Sequence, residues 1–308
     1  MSTLYLSHPA FLEHQTPLGH PERPDRLRAI ERVMEAERFQ TLERDQTPLG
    51  RLEDARLAHR AAYVDVITRA APTEGLVRLD ADTTMSPGSL EAALRGVGGA
   101  MMAVDEVMTG RVANAFVASR PPGHHAEHDR AMGFCLFNNA AVAARHAQRT
   151  HGAERVAIID FDVHHGNGTQ DIFWSDASVF YGSTHQMPLY PGTGERSETG
   201  VGNIVNAPLR AGDDGEVFRA AMDEVVLPAL DAFGPDLVII SAGFDAHVRD
   251  PLAEIRLIES DFAWITRRLL EIAARRCGGR VVSLLEGGYD LEGLSRSVAV
   301  HVGTLMEA

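Results

Sequence analysis

Four short apolar runs constrain this chain most, because each breaks into polar, chemistry-bearing residues at its C-terminal end. Residues 112–118 run into Ser119-Arg120-Pro121-Pro122-Gly123-His124-His125, and residues 156–159 into Asp160-Phe161-Asp162-Val163-His164-His165-Gly166-Asn167-Gly168. Residues 236–240 lead to Ser241-Ala242-Gly243-Phe244-Asp245, and residues 280–285 to Glu286-Gly287-Gly288-Tyr289. Runs this short and this rich in β-branched residues read as buried parallel strands. Stretches of helical periodicity at 59–71, 140–148, 218–233 and 260–276 separate them or flank them. Alternation of this kind predicts an α/β domain with a mostly parallel sheet covered by helices on both faces. In such sheets, functional groups collect at the carboxyl ends of the strands.

The second run is the most informative. Side chains alternate along a strand, so Asp160, Asp162 and His164 project the same way beyond its end. A single Asp or His there would be a loop cap, but three ligand-type residues at period two before a glycine-rich turn are a candidate metal site. Pro121-Pro122-Gly123 can continue neither strand nor helix, so it fixes His124 and His125 in a rigid loop. Asp245 and Tyr289 arrive from two further strand ends. The loop Gly19-His20-Pro21-Glu22-Arg23-Pro24 precedes a helical pattern through Leu27, Ile30, Val33 and Met34. Ser86 or Ser89 is positioned to cap the next helix, in which Gly96, Gly98 and Gly99 form a small-residue stripe suited to close packing.

Composition sets limits on function. The 308 residues fit one domain, 1–308, with 44% hydrophobic content and no apolar run near the ~20 residues that span a bilayer. The first residues lack a basic region followed by an apolar one, so the expected location is the cytoplasm, with no membrane partner. Cys135 and Cys277 are too few for a disulfide framework or a thiolate metal site, so a metal would rest on His and carboxylates. A net charge of −14 argues against a nucleic-acid partner. A homo-oligomer is left open.

The motifs Arg-Pro-Pro-Gly-His-His (120–125), Gly-Phe-Cys-Leu-Phe-Asn-Asn (133–139), Asp-Phe-Asp-Val-His-His-Gly-Asn-Gly-Thr-Gln (160–170), Ala-Gly-Phe-Asp (242–245) and Glu-Gly-Gly-Tyr (286–289) together resemble the zinc-dependent histone deacetylase family. The likeness extends to its bacterial deacetylase-like and acetylpolyamine amidohydrolase relatives. It implies the arginase/deacetylase fold, with Zn2+ held by Asp162, His164 and Asp245. It also implies His124 and His125 as tandem catalytic histidines, oriented by Asp160 and Asn167, and Tyr289 as the catalytic tyrosine. Asn167, where class I members carry Asp, places the chain nearer class II. By the same resemblance Gly133, Phe134 and Tyr190 line an acyl tunnel, with His20 and Leu252 at the substrate site. Arg23 matches the arginine of an internal channel. Asp160, Asp162, His164, Ser183 and Thr184 would surround a structural K+.

Two departures bear on substrate. Met85 falls where class I members carry a rim aspartate that grips the substrate backbone. Leu252 stands where polyamine-specific enzymes place a gatekeeper glutamate. The expected reaction is therefore metal-assisted hydrolysis of the acetyl amide of an N-acetyl-lysine-type substrate. Two Asp ligands make zinc a weaker Lewis acid than a three-His site would, so Tyr289 is expected to donate to the oxyanion and His125 to act as general base. The alternatives are an acetylated polyamine or other small amine as substrate, a non-catalytic acyl-lysine binding module, and Fe2+ in place of zinc.

Overall fold

Val156–Asp160 and Leu237–Ala242 are buried along their whole length and pair in parallel at the centre of the sheet. The computed structural model describes residues 2–308, and its ten strands are β1 (Thr3–Ser7), β2 (Glu43–Gln46), β3 (Val77–Arg78), β4 (Thr84–Met85), β5 (Asn114–Val117), β6 (Val156–Asp160), β7 (Val179–Gln186), β8 (Ile204–Leu209), β9 (Leu237–Ala242) and β10 (Val281–Leu285). Eight form one sheet in the order β2-β1-β5-β10-β9-β6-β7-β8, and every neighbouring pair is parallel. Strands β3 and β4 make a separate antiparallel pair beside it.

Successive residues of β6 enter opposite layers. Val156 and Ile158 join one apolar cluster, Ala157 and Ile159 the other. The first layer is covered by α2 (Leu52–Ala55), α3 (Ala61–Ala70), α4 (Ser89–Met108), α5 (Asn139–His151) and α6 (Asn167–Phe173). The second is covered by α1 (Asp25–Met34), α7 (Gly215–Ala221), α8 (Leu227–Phe233), α9 (Glu259–Cys277) and α10 (Leu291–Leu305). A mostly parallel sheet with helices on both faces is thus what the alternating pattern predicts. Among the described residues no helix is long and apolar enough to cross a membrane.

Several elements differ from the sequence expectation. The single helix expected over 218–233 is two helices joined by a π segment, Met222–Val226, because Pro228 offers no N–H to the turn before it. Neither Ser86 nor Ser89 caps α4, whose N-cap is Gly88. Instead the Ser89 hydroxyl accepts from the Ser86 N–H at 2.7 Å and faces His14. The glycine stripe does serve packing, since a Cβ at Gly98 would overlap the Pro48 carbonyl.

Candidate active site

The rigid Pro-Pro-Gly turn at the end of β5 is held from below by the buried Glu286, whose Oε2 accepts from Gly123 N at 2.6 Å and His124 N at 3.1 Å. This places the two imidazoles with ring centres 4.0 Å apart. Each has its own anchor. His124 Nδ1 lies 3.0 Å from Asp160 Oδ2, and His125 Nδ1 lies 2.8 Å from Asn167 Oδ1. The Asn167 amide nitrogen donates to Glu127 Oε1 at 2.8 Å, which turns its oxygen toward His125. His125 therefore donates through Nδ1 and leaves Nε2 unprotonated.

The neighbouring charges separate the two rings further. Burial, then the proximity of His124 and His164, holds His125 well below the usual imidazole range, in its neutral form. Burial opposes charging His124 too, but Asp162 and Asp160 outweigh it and raise the ring well above that range. The two rings are thus pushed in opposite directions, His125 toward the neutral form and His124 toward the charged one.

Asp162, His164 and Asp245 converge beside them, brought together by the loops after β6 and β9. His164 Nδ1 lies 3.1 Å from Asp162 Oδ1 and 3.1 Å from Asp245 Oδ2. Such spacing lets three donors sit at about 2.0–2.2 Å from one ion. The carboxylates are pre-aimed: Gly287 N donates to Asp162 Oδ2 at 2.8 Å and Val163 N to Asp245 Oδ1 at 2.8 Å. A Cβ on Gly287 would overlap both carboxylates, so only glycine leaves this space open. Two buried carboxylates demand a cation. Burial and the adjacent Asp162 push the Asp245 carboxyl up to about 6. Burial opposes the charge of His164, but its contacts with Asp162 and Asp245 raise it to about 10. This donor set fits a divalent metal.

A cavity of about 220 Å³ opens onto these groups, lined by Asp82, His125, Gly133, Phe134, His164, Leu189, Tyr190, Leu252 and Tyr289. Phe134 adopts a left-handed φ of 68°, held there as Gly133 N donates to Asp82 Oδ1 and Phe134 N to Thr83 Oγ1. His20 packs edge-on against Phe134 with ring centres 4.7 Å apart but is not among the residues that line the cavity. Tyr289 faces Phe134 at 5.9 Å. Burial keeps its phenol well above the ordinary tyrosine range, and hence protonated. Asp250 fixes the loop, accepting from Tyr289 N at 2.7 Å and Leu252 N at 3.0 Å.

Two sequence expectations are corrected. Arg23 does not enter an internal channel: it lies one residue before the α1 N-cap, its side chain is 46% exposed, and it pairs with Asp25. Arg26 occupies the buried place, because it shares the inward face of α1 with Ile30 and Met34. It donates to Gly288 O at 2.6 Å and Glu286 O at 2.5 Å, and its guanidinium lies 4.9 Å from the Tyr289 ring centre. Nor is the rim without a carboxylate. Met85 is fully buried, and Asp82, on the turn joining β3 to β4, lines the cavity. Glu127, Glu286 and Asp250 were not singled out either, although Glu286 belongs to the Glu-Gly-Gly-Tyr motif.

Asp160, at the end of β6, and Ser183 and Thr184, within β7, are buried, with Asp160 paired to Ser183 in register. Asp160 Oδ1 accepts from Asp162 N at 3.1 Å and Ser183 Oγ lies 2.9 Å from His185 Nδ1.

Residues 20–305 match the family profile described as "Histone deacetylase domain". The chain is 41% identical to "Histone deacetylase 10, chloroplastic" of Oryza sativa subsp. japonica, over 96% of this chain and 71% of that one. It is 40% identical to the "Histone deacetylase-like amidohydrolase" of Pseudomonas aeruginosa, over 88% of this chain and 73% of the other. The crystal structure of the HDA15 HD domain superposes with a TM-score of 0.94 at 38% identity, covering 99% of this chain and 88% of that one. The chain therefore belongs to the histone deacetylase family and carries its α/β deacetylase fold, which supports a deacetylase function.

Proposed function

We propose that this chain hydrolyses the acetyl amide of N-acetyl-lysine-type substrates with Asp162, His164 and Asp245 holding a divalent ion, zinc in the first place. The observation that carries the reading is the pair of tandem histidines, anchored to Asp160 and Asn167, beside a three-donor metal cluster and a narrow cavity. An ion bound there would supply Lewis acidity toward the acyl oxygen and lower the pKa of a water. The oxygen-rich donor set accommodates Fe2+ as well.

His125 Nε2 takes the proton from the attacking water as the C–O bond forms, and later delivers it to the leaving nitrogen as the amide C–N bond breaks. Acetate and the protonated amine are the products, the acid's proton passing to the amine. Tyr289 donates its phenolic hydrogen to the oxyanion, and His124 supplies positive charge nearby. Four lysine methylenes passing between the aromatic walls gain roughly 3 kcal/mol at ~0.8 each. Structural K+ at Asp160, Asp162, His164, Ser183 and Thr184 belongs to the same reading.

Asp82 bears on substrate choice in two ways. A carboxylate at the cavity mouth can accept from the amide N–H of a peptide, and it can equally pair with the distal ammonium of an acetylated polyamine. Apolar Leu252 in the same lining offers no such partner and favours acetyl-lysine. Turnover of acetyl-lysine peptides against acetylputrescine and acetylspermidine decides between them. Peptides are expected to be preferred, with Leu252→Glu moving the ratio toward polyamines. Much faster hydrolysis of acetylspermidine than of every peptide would reverse the assignment.

The metal cluster has its own test. Asp162→Ala, His164→Ala and Asp245→Ala are each expected to lose the ion and nearly all turnover, since three donors leave none to spare. Full occupancy by elemental analysis in any of the three would remove that residue from the site.

A further inference from the structure

A second group of metal-type donors lies away from the catalytic loops. Helix α4 runs alongside α5: Gly96 meets the Asn139 side chain at the catalytic end, and Asp105 meets His146 and His151 at the other. Twelve residues separate Asn139 from His151, about 18 Å of helix at 1.5 Å per residue. We propose that Asp105, His146 and His151 bind a divalent transition-metal ion such as Zn2+, joining the C-terminal turn of α5 to α4.

The geometry is that of a site rather than of chance proximity. His146 Nε2 lies 2.7 Å and His151 Nε2 2.6 Å from the same oxygen, Asp105 Oδ1. All three donor atoms fall within 4.8 Å of one another. Tetrahedral metal bonds of about 2.0–2.2 Å place donors roughly 3.3–3.6 Å apart, so the carboxylate must draw back by rather more than half an ångström, which a side-chain rotation provides. Asp105, 41% exposed in its side chain, is free to make that rotation.

His146 is buried, and its other ring nitrogen lies 3.2 Å from Thr150 Oγ1, one helical turn on. With Nδ1–H donated to that hydroxyl, Nε2 presents its lone pair to the ion, the outer hydrogen bond usual for a ligating histidine. Two imidazoles and one carboxylate suit zinc, nickel, copper or ferrous iron and disfavour Mg2+ and Ca2+, which prefer all-oxygen shells. Asp54, whose titration His146 also influences, is taken up by Arg51 at 2.9 Å and is not counted as a ligand. Three protein donors leave a fourth position for water.

The ion would act as a clamp. The other end of α5 carries Asn138, whose side chain caps the helix and donates to Thr169 Oγ1 at 3.0 Å, tying it to α6 beside the catalytic loops. Fixing the distal turn of α5 stabilises the scaffold of that wall without touching substrate. The competing arrangement has no ion, with Asp105 Oδ1 accepting hydrogen bonds from two Nε2–H groups.

Zinc content and thermal unfolding distinguish the two. Holoenzyme incubated with zinc chloride and then desalted is analysed for metal, beside His151→Ala and Asp105→Asn, both near the surface. Wild type should retain two equivalents and each variant one, with deacetylase turnover unchanged and the zinc-dependent rise in Tm abolished. In Asp162→Ala, which disables the catalytic cluster, one equivalent should remain and should disappear when His151→Ala is added. A single equivalent in wild type, or a second equivalent that survives both His151→Ala and Asp105→Asn, would overturn the proposal.

Discussion

Asn167 and Glu127 decide the chemistry of His125 more than the histidine itself does. By accepting from Nδ1–H, Asn167 leaves the other nitrogen free, and Glu127 keeps the amide from turning over. His124 has a carboxylate in the same position, Asp160, which together with Asp162 favours its charged form. The sign of its pH dependence follows. A raised pKa means that His124 stays charged below it and loses the charge as pH rises through it. Asp160→Asn removes one of the carboxylates responsible, so the alkaline limb of kcat should move to lower pH. An unchanged alkaline limb in the pH–rate profile would show that His124's charge does not govern turnover. The histidines, the carboxylates beside them and Asn167 are contiguous with motifs in the sequence, and were legible for that reason. Glu127 was not, because a glutamate ten residues beyond the end of β5 has no period that marks it as buried or bonded.

At the scale of elements, α1 shows what helical phase contributes. Arg23 and Arg26 stand three apart, but only Arg26 lies on the face of Ile30 and Met34, and there it meets Glu22 at 3.1 Å and the carbonyls of the Glu286–Gly288 loop. Reading the arginine by motif rather than by phase selected the exposed neighbour. Burying a guanidinium binds α1 to the tyrosine loop, and Arg26→Ala should destabilise the fold by about 3–5 kcal/mol while Arg23→Ala stays within about 0.5. Urea unfolding of the two variants checks this, and equal effects would contradict it. The central strands were legible because both of their faces are apolar. Edge strand β2 is exposed at every residue of Glu-Arg-Asp-Gln, so nothing in its composition announces a strand, and only pairing with β1 makes it one. β7 continues past Gly182 through Ser183, Thr184, His185 and Gln186, polar residues that look like loop until β8 covers them.

Across the whole molecule, one sheet edge gathers what distant parts of the sequence supply. The ends of β5, β6, β9 and β10 bring histidines, metal-type donors and a phenol to one cavity, while the β3–β4 turn adds Asp82 and the 133–134 segment adds a wall. Strand ends could be inferred from pattern. Asp82 could not, because its place at the mouth depends on a turn that packs against residues about fifty positions later. The function proposed for this assembly is catalysis of amide hydrolysis, not mere retention of an acylated amine. Tyr289→Phe is the most direct test, since the ring keeps its contacts with Phe134 and Arg26 and only the hydroxyl is lost. With an acetyl-lysine substrate, kcat should fall ~10²–10³-fold, with KM little changed, as expected for a donor that acts mainly in the transition state. A loss below about threefold, under ~0.7 kcal/mol, would contradict the account by removing Tyr289 from the chemistry.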